Sequence, residues 1–235
     1  MSYLVIDIET IGEPYENFDE KSKEKFREWA ERDSDTEEDI EEQLEAVKER
    51  LVFSPFTGEI VSIAVLDDQD KGAVYFQAPD SDLKDWEEDG VQYRVGTEKE
   101  ILERFWEVAN HYDVFVTFNG RGFDAPYLMI RAAVHGVQPT KQLMGYRYQN
   151  GRGSGTQHVD LADQLSFYGA MRRTSLHFTT RAFGIKSPKK GDVEGKEVPQ
   201  AFKDKRYKEI AEYNFADVVA TRELFQKWNK YININ

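Results

Sequence analysis

Tyr3-Leu4-Val5-Ile6-Asp7-Ile8-Glu9-Thr10 is the stretch from which the fold and its chemistry can be read. Residues 3 to 8 form a short, β-rich apolar run, the pattern of a buried strand, with a carboxylate intruding near its end. Side chains two apart on a strand share a face, so Asp7 and Glu9 stand together while Ile6 and Ile8 face the opposite layer. Two like charges at the end of a buried strand are costly unless a cation compensates them. A solvated strand end at a sheet edge is the plainer alternative. The chain has 0 Cys, and its 4 His lie too far apart to form a zinc-binding pair. Any metal site must therefore be built from oxygen ligands, which favours Mg²⁺ or Mn²⁺.

After this strand, residues 13–59 interrupt the pattern with a strongly acidic segment. Its apolar residues Phe26, Trp29, Ile40, Leu44, Val47 and Leu51 recur at helical spacings, which predicts an insertion of amphipathic helices after the first strand. Ile60 to Leu66 and Ala73 to Gln77, separated by the turn-rich residues 67–72, read as a hairpin beside that strand. Glu98 to Asn110 reads as a helix with Thr97 as N-cap and Glu100 completing a capping box. Val114 to Phe118 is a further buried strand, and the turn signal Asn119-Gly120-Arg121-Gly122 follows it. A helix is predicted from Asp124 to His135 with Gly136 ending it, then a Gly-rich loop over 146–155 and a short strand at His158 to Leu161. The last helix runs from about Tyr207 to Tyr231. Strands and a hairpin first, then strands interleaved with helices, give an α/β fold with a mixed sheet flanked by helices on both faces. The 235 residues fit one domain spanning 1–235. No apolar run is long enough for a membrane span, and the N-terminus lacks the pattern of an export signal, so a cytoplasmic protein is expected.

Two further segments place carboxylates where they can join the first pair. Thr117-Phe118-Asn119-Gly120-Arg121-Gly122-Phe123-Asp124 sets Asp124 at a strand-to-helix junction, the usual location of α/β sites, although it could simply cap the helix that follows. Tyr213 and Asp217, four apart in Tyr213-Asn214-Phe215-Ala216-Asp217, share one face of the last helix. Alone, such a pair is more often surface than site.

Together, in this order, the three segments resemble the DEDD exonucleases of the ribonuclease H-like superfamily, in the subgroup whose third motif reads Tyr-x-x-x-Asp. The Phe-Asn-Gly-Arg-x-Phe-Asp form at 118–124, and the stretch from Gly191-Asp192-Val193 through Ile210-Ala211-Glu212-Tyr213, are similar to stand-alone exonucleases related to the proofreading domain of B-family DNA polymerases. The resemblance spans nearly the whole chain and departs from it mainly at the acidic insertion. It implies a ribonuclease H-like sheet and hydrolysis of nucleic acid from a free 3' end, with DNA, single-stranded, favoured over RNA. Phosphodiester hydrolysis needs an activated water, neutralised phosphoryl charge and a stabilised leaving oxygen, and two cations about 3.5–4 Å apart supply all three. By the resemblance, Asp7 bridges two Mg²⁺ or Mn²⁺ ions, Glu9 and Asp217 complete the site that binds the attacking water, and Asp124 holds the second metal. Tyr213 orients that water rather than acting as a base, since an unperturbed phenol is mostly protonated at neutral pH. Thr10, Asn119 and Phe123, beside the ligands, are candidates to contact the terminal nucleotide, Phe123 by stacking.

The net charge of −13 looks wrong for a protein that handles a polyanion, but it is unevenly distributed. Residues 1–119 carry 12 Lys/Arg against 33 Asp/Glu, whereas residues 120–210 carry 16 against 8. A local basic surface is thus available for phosphate contacts, with Arg172, Arg173, Arg181, Lys186, Lys189 and Lys190 as candidates. Two readings compete with a DNA exonuclease: an exoribonuclease on the same fold, and a catalytically silent nucleic-acid-binding protein, against which the intact carboxylate set argues.

Overall fold

A computed structural model describes residues 2–32, 34, 36–145, 155–185 and 195–234. The first strand, β1 (Tyr3–Gly12), is followed by the two helices of the insertion, α1 (Glu20–Glu31) and α2 (Glu37–Arg50). Then come β2 (Gly58–Asp67), β3 (Gly72–Phe76), β4 (Trp86–Glu88), β5 (Val91–Val95) and α3 (Glu98–Ala109). The rest of the chain alternates: β6 (Val114–Thr117), α4 (Asp124–Val134), β7 (Gln157–Asp160), α5 (Leu161–Leu165), α6 (Leu176–Ala182), α7 (Val198–Lys203) and α8 (Tyr207–Tyr231). No helix of the described residues is long and apolar enough to cross a membrane.

The seven strands of the described residues form one mixed sheet in the order β4-β5-β3-β2-β1-β6-β7. β1 lies within it, antiparallel to β2 along its whole length and parallel to β6 from Tyr3↔Val114 to Val5↔Val116. The edge alternative for Asp7 and Glu9 therefore does not hold. Alternation sorts the side chains of β1. Leu4, Ile6 and Ile8 join Ile101, Leu102, Phe105 and Trp106 of α3 and Tyr127 and Leu128 of α4 in one core, and Val5 joins Ala211, Val218, Leu224, Phe225 and Trp228 of α8 in the other. Helices thus cover both faces, as the pattern of elements requires. Asp7 and Glu9 continue the Val5 face, so the strand aims both carboxylates at α8.

A bulge sharpens this placement. The β1–β2 register passes from Glu9↔Ser62 to Thr10↔Ile60, leaving Val61 as the extra residue. Ile60 and Ile63 both pack on the α3/α4 core, Val61 packs with Val198 and Ala201 of α7, and Ser62 reaches Asn214 of α8.

The predicted capping box at α3 forms: Thr97 accepts from the Glu100 N–H, and the Glu100 carboxylate accepts from the Thr97 N–H. β1 runs four residues further than the apolar run indicated, ending at Gly12. The insertion is helical as expected, with a small core of its own made by Phe26, Ala30, Leu44 and Leu51. Much of the Gly-rich loop read at 146–155 lies outside the described residues.

Candidate active site

Carboxylate oxygens of Asp7, Glu9 and Asp217 lie within 4.8 Å of one another. β1 supplies the first two and α8 the third, one turn after Tyr213 on the same helix. Asp124 stands beside this trio. Its Oδ1 accepts the Ile8 N–H at 3.2 Å, a donor lying beyond the last β1–β6 pair, and its charge raises the pKa of both Asp7 and Glu9. Phe123 is the N-cap of α4 and Asp124 its first residue, with the Asp124 carboxylate turned to the Ile8 N–H of β1.

Burial first, and then the neighbouring carboxylates, push Asp7 and Glu9 well above the usual carboxylate range. Burial likewise raises Asp124 to about 7. Oxygen donors that repel one another in this way, with no thiol or imidazole among them, suit a hard divalent cation. The Tyr213 phenol is pushed above its ordinary value by burial, by the charges of Asp217 and Glu9, and by its hydrogen bond to the Asp217 carboxylate. It is therefore a neutral donor.

Sequence reading missed the residue that holds Asp7. Asn214, fully buried, donates from Nδ2 to Asp7 Oδ2 at 2.6 Å and accepts the Ser62 hydroxyl on Oδ1 at 2.7 Å. One hydrogen-bond relay of fixed polarity, Ser62 to Asn214 to Asp7, joins β2, α8 and β1. The only signal in the sequence was a polar residue between Tyr213 and Phe215, at a position where helical periodicity calls for an apolar one.

A second unforeseen residue, Asp160 at the end of β7, is buried and shapes the loop before Asp124. Its carboxylate accepts the N–H groups of Asn119 at 2.8 Å, Arg121 at 2.9 Å and Ala162 at 2.9 Å. Asn119 sits at a positive φ of 66° within this grip. Gly120 follows because a Cβ there would lie 2.4 Å from Thr117 Oγ1. That hydroxyl pairs with His158 Nε2 at 2.7 Å, and His158 Nδ1 faces the Leu143 carbonyl at 3.0 Å. Burial lowers His158 to about 4, so it is neutral; since a carbonyl only accepts, Nδ1 carries the proton.

The residues expected to touch substrate differ in what holds them. Thr10 is buried and donates its hydroxyl to the Val52 carbonyl at 3.2 Å. Phe123, half-buried, packs on Tyr127 at 5.2 Å between ring centroids. Arg173 holds Asn119 Oδ1 at 3.0 Å and pairs with Asp163, so it braces the loop. Arg172 and Arg181 are exposed. Lys186, Lys189 and Lys190 lie outside the described residues.

Comparison with known proteins identifies the family. Residues 55–233 match the family described as "Predicted 3'-5' exonuclease related to the exonuclease domain of PolB". DNA polymerase 1 of Sulfolobus acidocaldarius is 26% identical over 167 residues, covering 66% of this chain and 19% of that protein. The DNA polymerase of Desulfurococcus sp. is 32% identical over 146 residues, covering 55% of this chain and 18% of that protein. The chain thus spans about a fifth of the length of these relatives. The family B DNA polymerase from the hyperthermophilic archaeon Pyrobaculum calidifontis shares the fold, with a TM-score of 0.59 and 20% identity over 97% of this chain and 24% of that one. This chain, an α/β protein with the ribonuclease H-like sheet, belongs to the family of predicted 3'-5' exonucleases related to the exonuclease domain of PolB.

Proposed function

We propose that this protein is a metal-dependent exonuclease that hydrolyses phosphodiester bonds from the 3' end of single-stranded DNA. The observation that carries this reading is the carboxylate trio of Asp7, Glu9 and Asp217 with Asp124 beside it. Its relatives are DNA polymerases, which favours DNA over RNA. Asp7, Glu9 and Asp217 would hold one Mg²⁺ or Mn²⁺, and Asp124, with Asp7, a second. Bound there, two cations supply the charge neutralisation and Lewis acidity that phosphodiester hydrolysis requires.

The chain's own groups orient these donors. Asn214 fixes the rotamer of Asp7, and the Ile8 N–H fixes that of Asp124. Tyr213 keeps its proton and offers it as a hydrogen bond, which lets it orient a polar group beside Asp217 but not remove a proton. Phe123 and Asn119 flank Asp124 as contacts for the terminal nucleotide. Exposed Arg172 and Arg181, with Lys189 and Lys190, take backbone phosphates. Arg173 and Thr10 act indirectly, by bracing Asn119 and the Val52 peptide.

The test uses 3'-labelled and 5'-labelled oligonucleotides, single- and double-stranded, DNA and RNA, incubated with Mg²⁺, Mn²⁺ or EDTA. Stepwise mononucleotide release from DNA 3' ends with either metal and none in EDTA is expected. Faster release from RNA would transfer the reading to an exoribonuclease, and no release from any substrate would refute it.

A further inference from the structure

The Ile8 N–H orients the Asp124 carboxylate, but that carboxylate meets the trio only if α4 itself stands at the right distance from β1. Packing alone leaves this distance soft. Ala125 and Leu128 of α4 share a core with Ile6 and Ile8 of β1, and apolar contact is non-directional, so it opposes separation better than sliding. A directional tie runs through the end of the acidic insertion, at the single turn of 3-10 helix formed by Leu51–Phe53. Thr10, next to Glu9 on β1, donates its hydroxyl to the Val52 carbonyl at 3.2 Å. Tyr127, three residues after Asp124 on α4, brings its hydroxyl to 3.1 Å from that same carbonyl and 3.1 Å from the carbonyl of Ser54. Its one proton is shared between the two, and the Val52 oxygen has lone pairs for both hydroxyls.

The surroundings of Tyr127 hold it to this arrangement. The residue is 1% exposed, and burial pushes the phenol above its ordinary value, so it keeps its proton. Gly58 leaves it room, since a Cβ there would lie 2.3 Å from the Tyr127 hydroxyl and 2.6 Å from the Ile11 carbonyl. One turn further along α4, Arg131 donates to the Pro55 carbonyl at 3.3 Å while buried Glu98 holds its guanidinium at 2.8 and 2.6 Å. Two points one turn apart fix the rotation of α4 as well as its distance. A buried phenol needs an acceptor of some kind. What is particular here is that its acceptor is also that of the residue beside Glu9.

We propose that Tyr127 is a positioning residue of the site: through the Val52 carbonyl that it shares with Thr10, it sets the separation between Asp124 on α4 and the Asp7–Glu9 pair on β1. The acidic insertion contributes to the site by supplying that carbonyl. This rests on the exonuclease reading above, in which Asp124 and Asp7 hold the second cation. A drift of α4 loosens that ion first, because Asp7, Glu9 and Asp217 lie on β1 and α8.

The test compares wild type with Tyr127→Phe, Thr10→Val and the double variant. Tyr112→Phe is the control: it loses a similar bond, to the Asp67 carboxylate at 3.0 Å, at the other end of β1 where Asp67 pairs with Leu4. Mn²⁺ is titrated into each protein without substrate, followed by calorimetry and by the exchange-coupled resonance of two neighbouring ions. Tyr127→Phe weakens the second Mn²⁺ by about 10- to 100-fold, with the first little changed, and loses the coupled resonance at metal levels where wild type shows it. On a DNA 3' end kcat falls by about 10- to 100-fold while KM stays near the wild-type value, because no substrate contact is removed. Thr10→Val, which cuts the other end of the tie, weakens the same ion, and it carries the test should Tyr127→Phe fail to fold. Since both hydroxyls act through one carbonyl, the double variant is scarcely worse than the weaker-binding single variant. Tyr112→Phe lowers the melting temperature in EDTA and leaves both Mn²⁺ affinities unchanged. If Tyr127→Phe binds two Mn²⁺ as wild type does, or if the two losses are additive, the inference is wrong while the exonuclease reading stands. If wild type binds no second Mn²⁺ the inference also falls, and if it releases nothing from any 3' end the exonuclease reading falls with it.

Discussion

Replacing Asn214 with Ala removes the group that holds Asp7, and its cost can be built from the contacts. The 2.6 Å bond to Asp7 is to a carboxylate, and such bonds contribute about 1.5–3 kcal/mol. The Ser62 hydroxyl, itself fully buried, loses its acceptor, which costs about 1–3 kcal/mol more. Neighbouring terms are not additive, so a loss of about 3–4 kcal/mol in urea unfolding at pH 7.5 with Mg²⁺ is expected. Removing Ser62's hydroxyl as well should restore part of it: Ser62→Ala with Asn214→Ala should be more stable than the sum of the single losses by about 1 kcal/mol or more. With Asp7 free to rotate, kcat on a DNA 3' end should drop about ten- to a hundredfold. A loss under about 1 kcal/mol, strict additivity with Ser62→Ala and an unchanged kcat would refute the relay.

Four further outcomes follow from the same geometry. Asp7→Ala should abolish nearly all turnover in the labelled-oligonucleotide assay while stability in EDTA does not fall much, because the carboxylate repulsion it relieves offsets the loss of the Asn214 bond; a residual rate above about a tenth would contradict the metal assignment. Tyr213→Phe should slow hydrolysis by about ten- to a thousandfold without moving the acid limb of the pH–rate profile, since the lost group donates a hydrogen bond and does not titrate in that range. Asp7, Glu9 and Asp124 all have raised pKa values, so without metal the folded chain binds more protons than the unfolded one. The contribution of these three groups to stability in EDTA is then fully present below the ordinary carboxylate pKa of about 4 and is lost as pH rises through the folded values, Asp124's being about 7; calorimetry between pH 5 and 8 should show this fall, and Mg²⁺ should reduce it. Asp160→Asn should destabilise the protein by about 2–4 kcal/mol in urea unfolding, because a neutral amide replaces the charge that holds three backbone donors.

Local chemistry is what made parts of this molecule readable. The strand bearing Asp7 and Glu9, the Thr97–Glu100 capping box and the bounds of α8 each depend on residues close in sequence. The far edge of the sheet, β4 and β5, went unread because Trp86-Glu87-Glu88 and Val91-Gln92-Tyr93-Arg94-Val95 are short, charged and separated by a turn with Asp89 at φ 53°. Ser62, Asn214, Asp160 and His158 act through partners distant in sequence, and no spacing rule announces a hydrogen bond between residues 62 and 214. Arg173 was read as a contact for substrate phosphate, and its pairing with Asp163 could be found only in three dimensions.

The small core shared by Phe26, Ala30, Leu44 and Leu51 gives the insertion a local unfolding equilibrium of its own. Leu51 belongs to that core, and the carbonyl of its neighbour Val52 accepts from Thr10 and Tyr127, so the peptide at 51–52 is a hinge pin common to the insertion and the sheet. A fluctuation that melts α1 and α2 must let go of Thr10 and Tyr127 at the same moment. Amide exchange at 51–53 should therefore rise and fall with that of α1 and α2 as one cooperative event, so that the backbone beside Thr10 and Tyr127 is only as firm as a helical hairpin outside the carboxylate cluster.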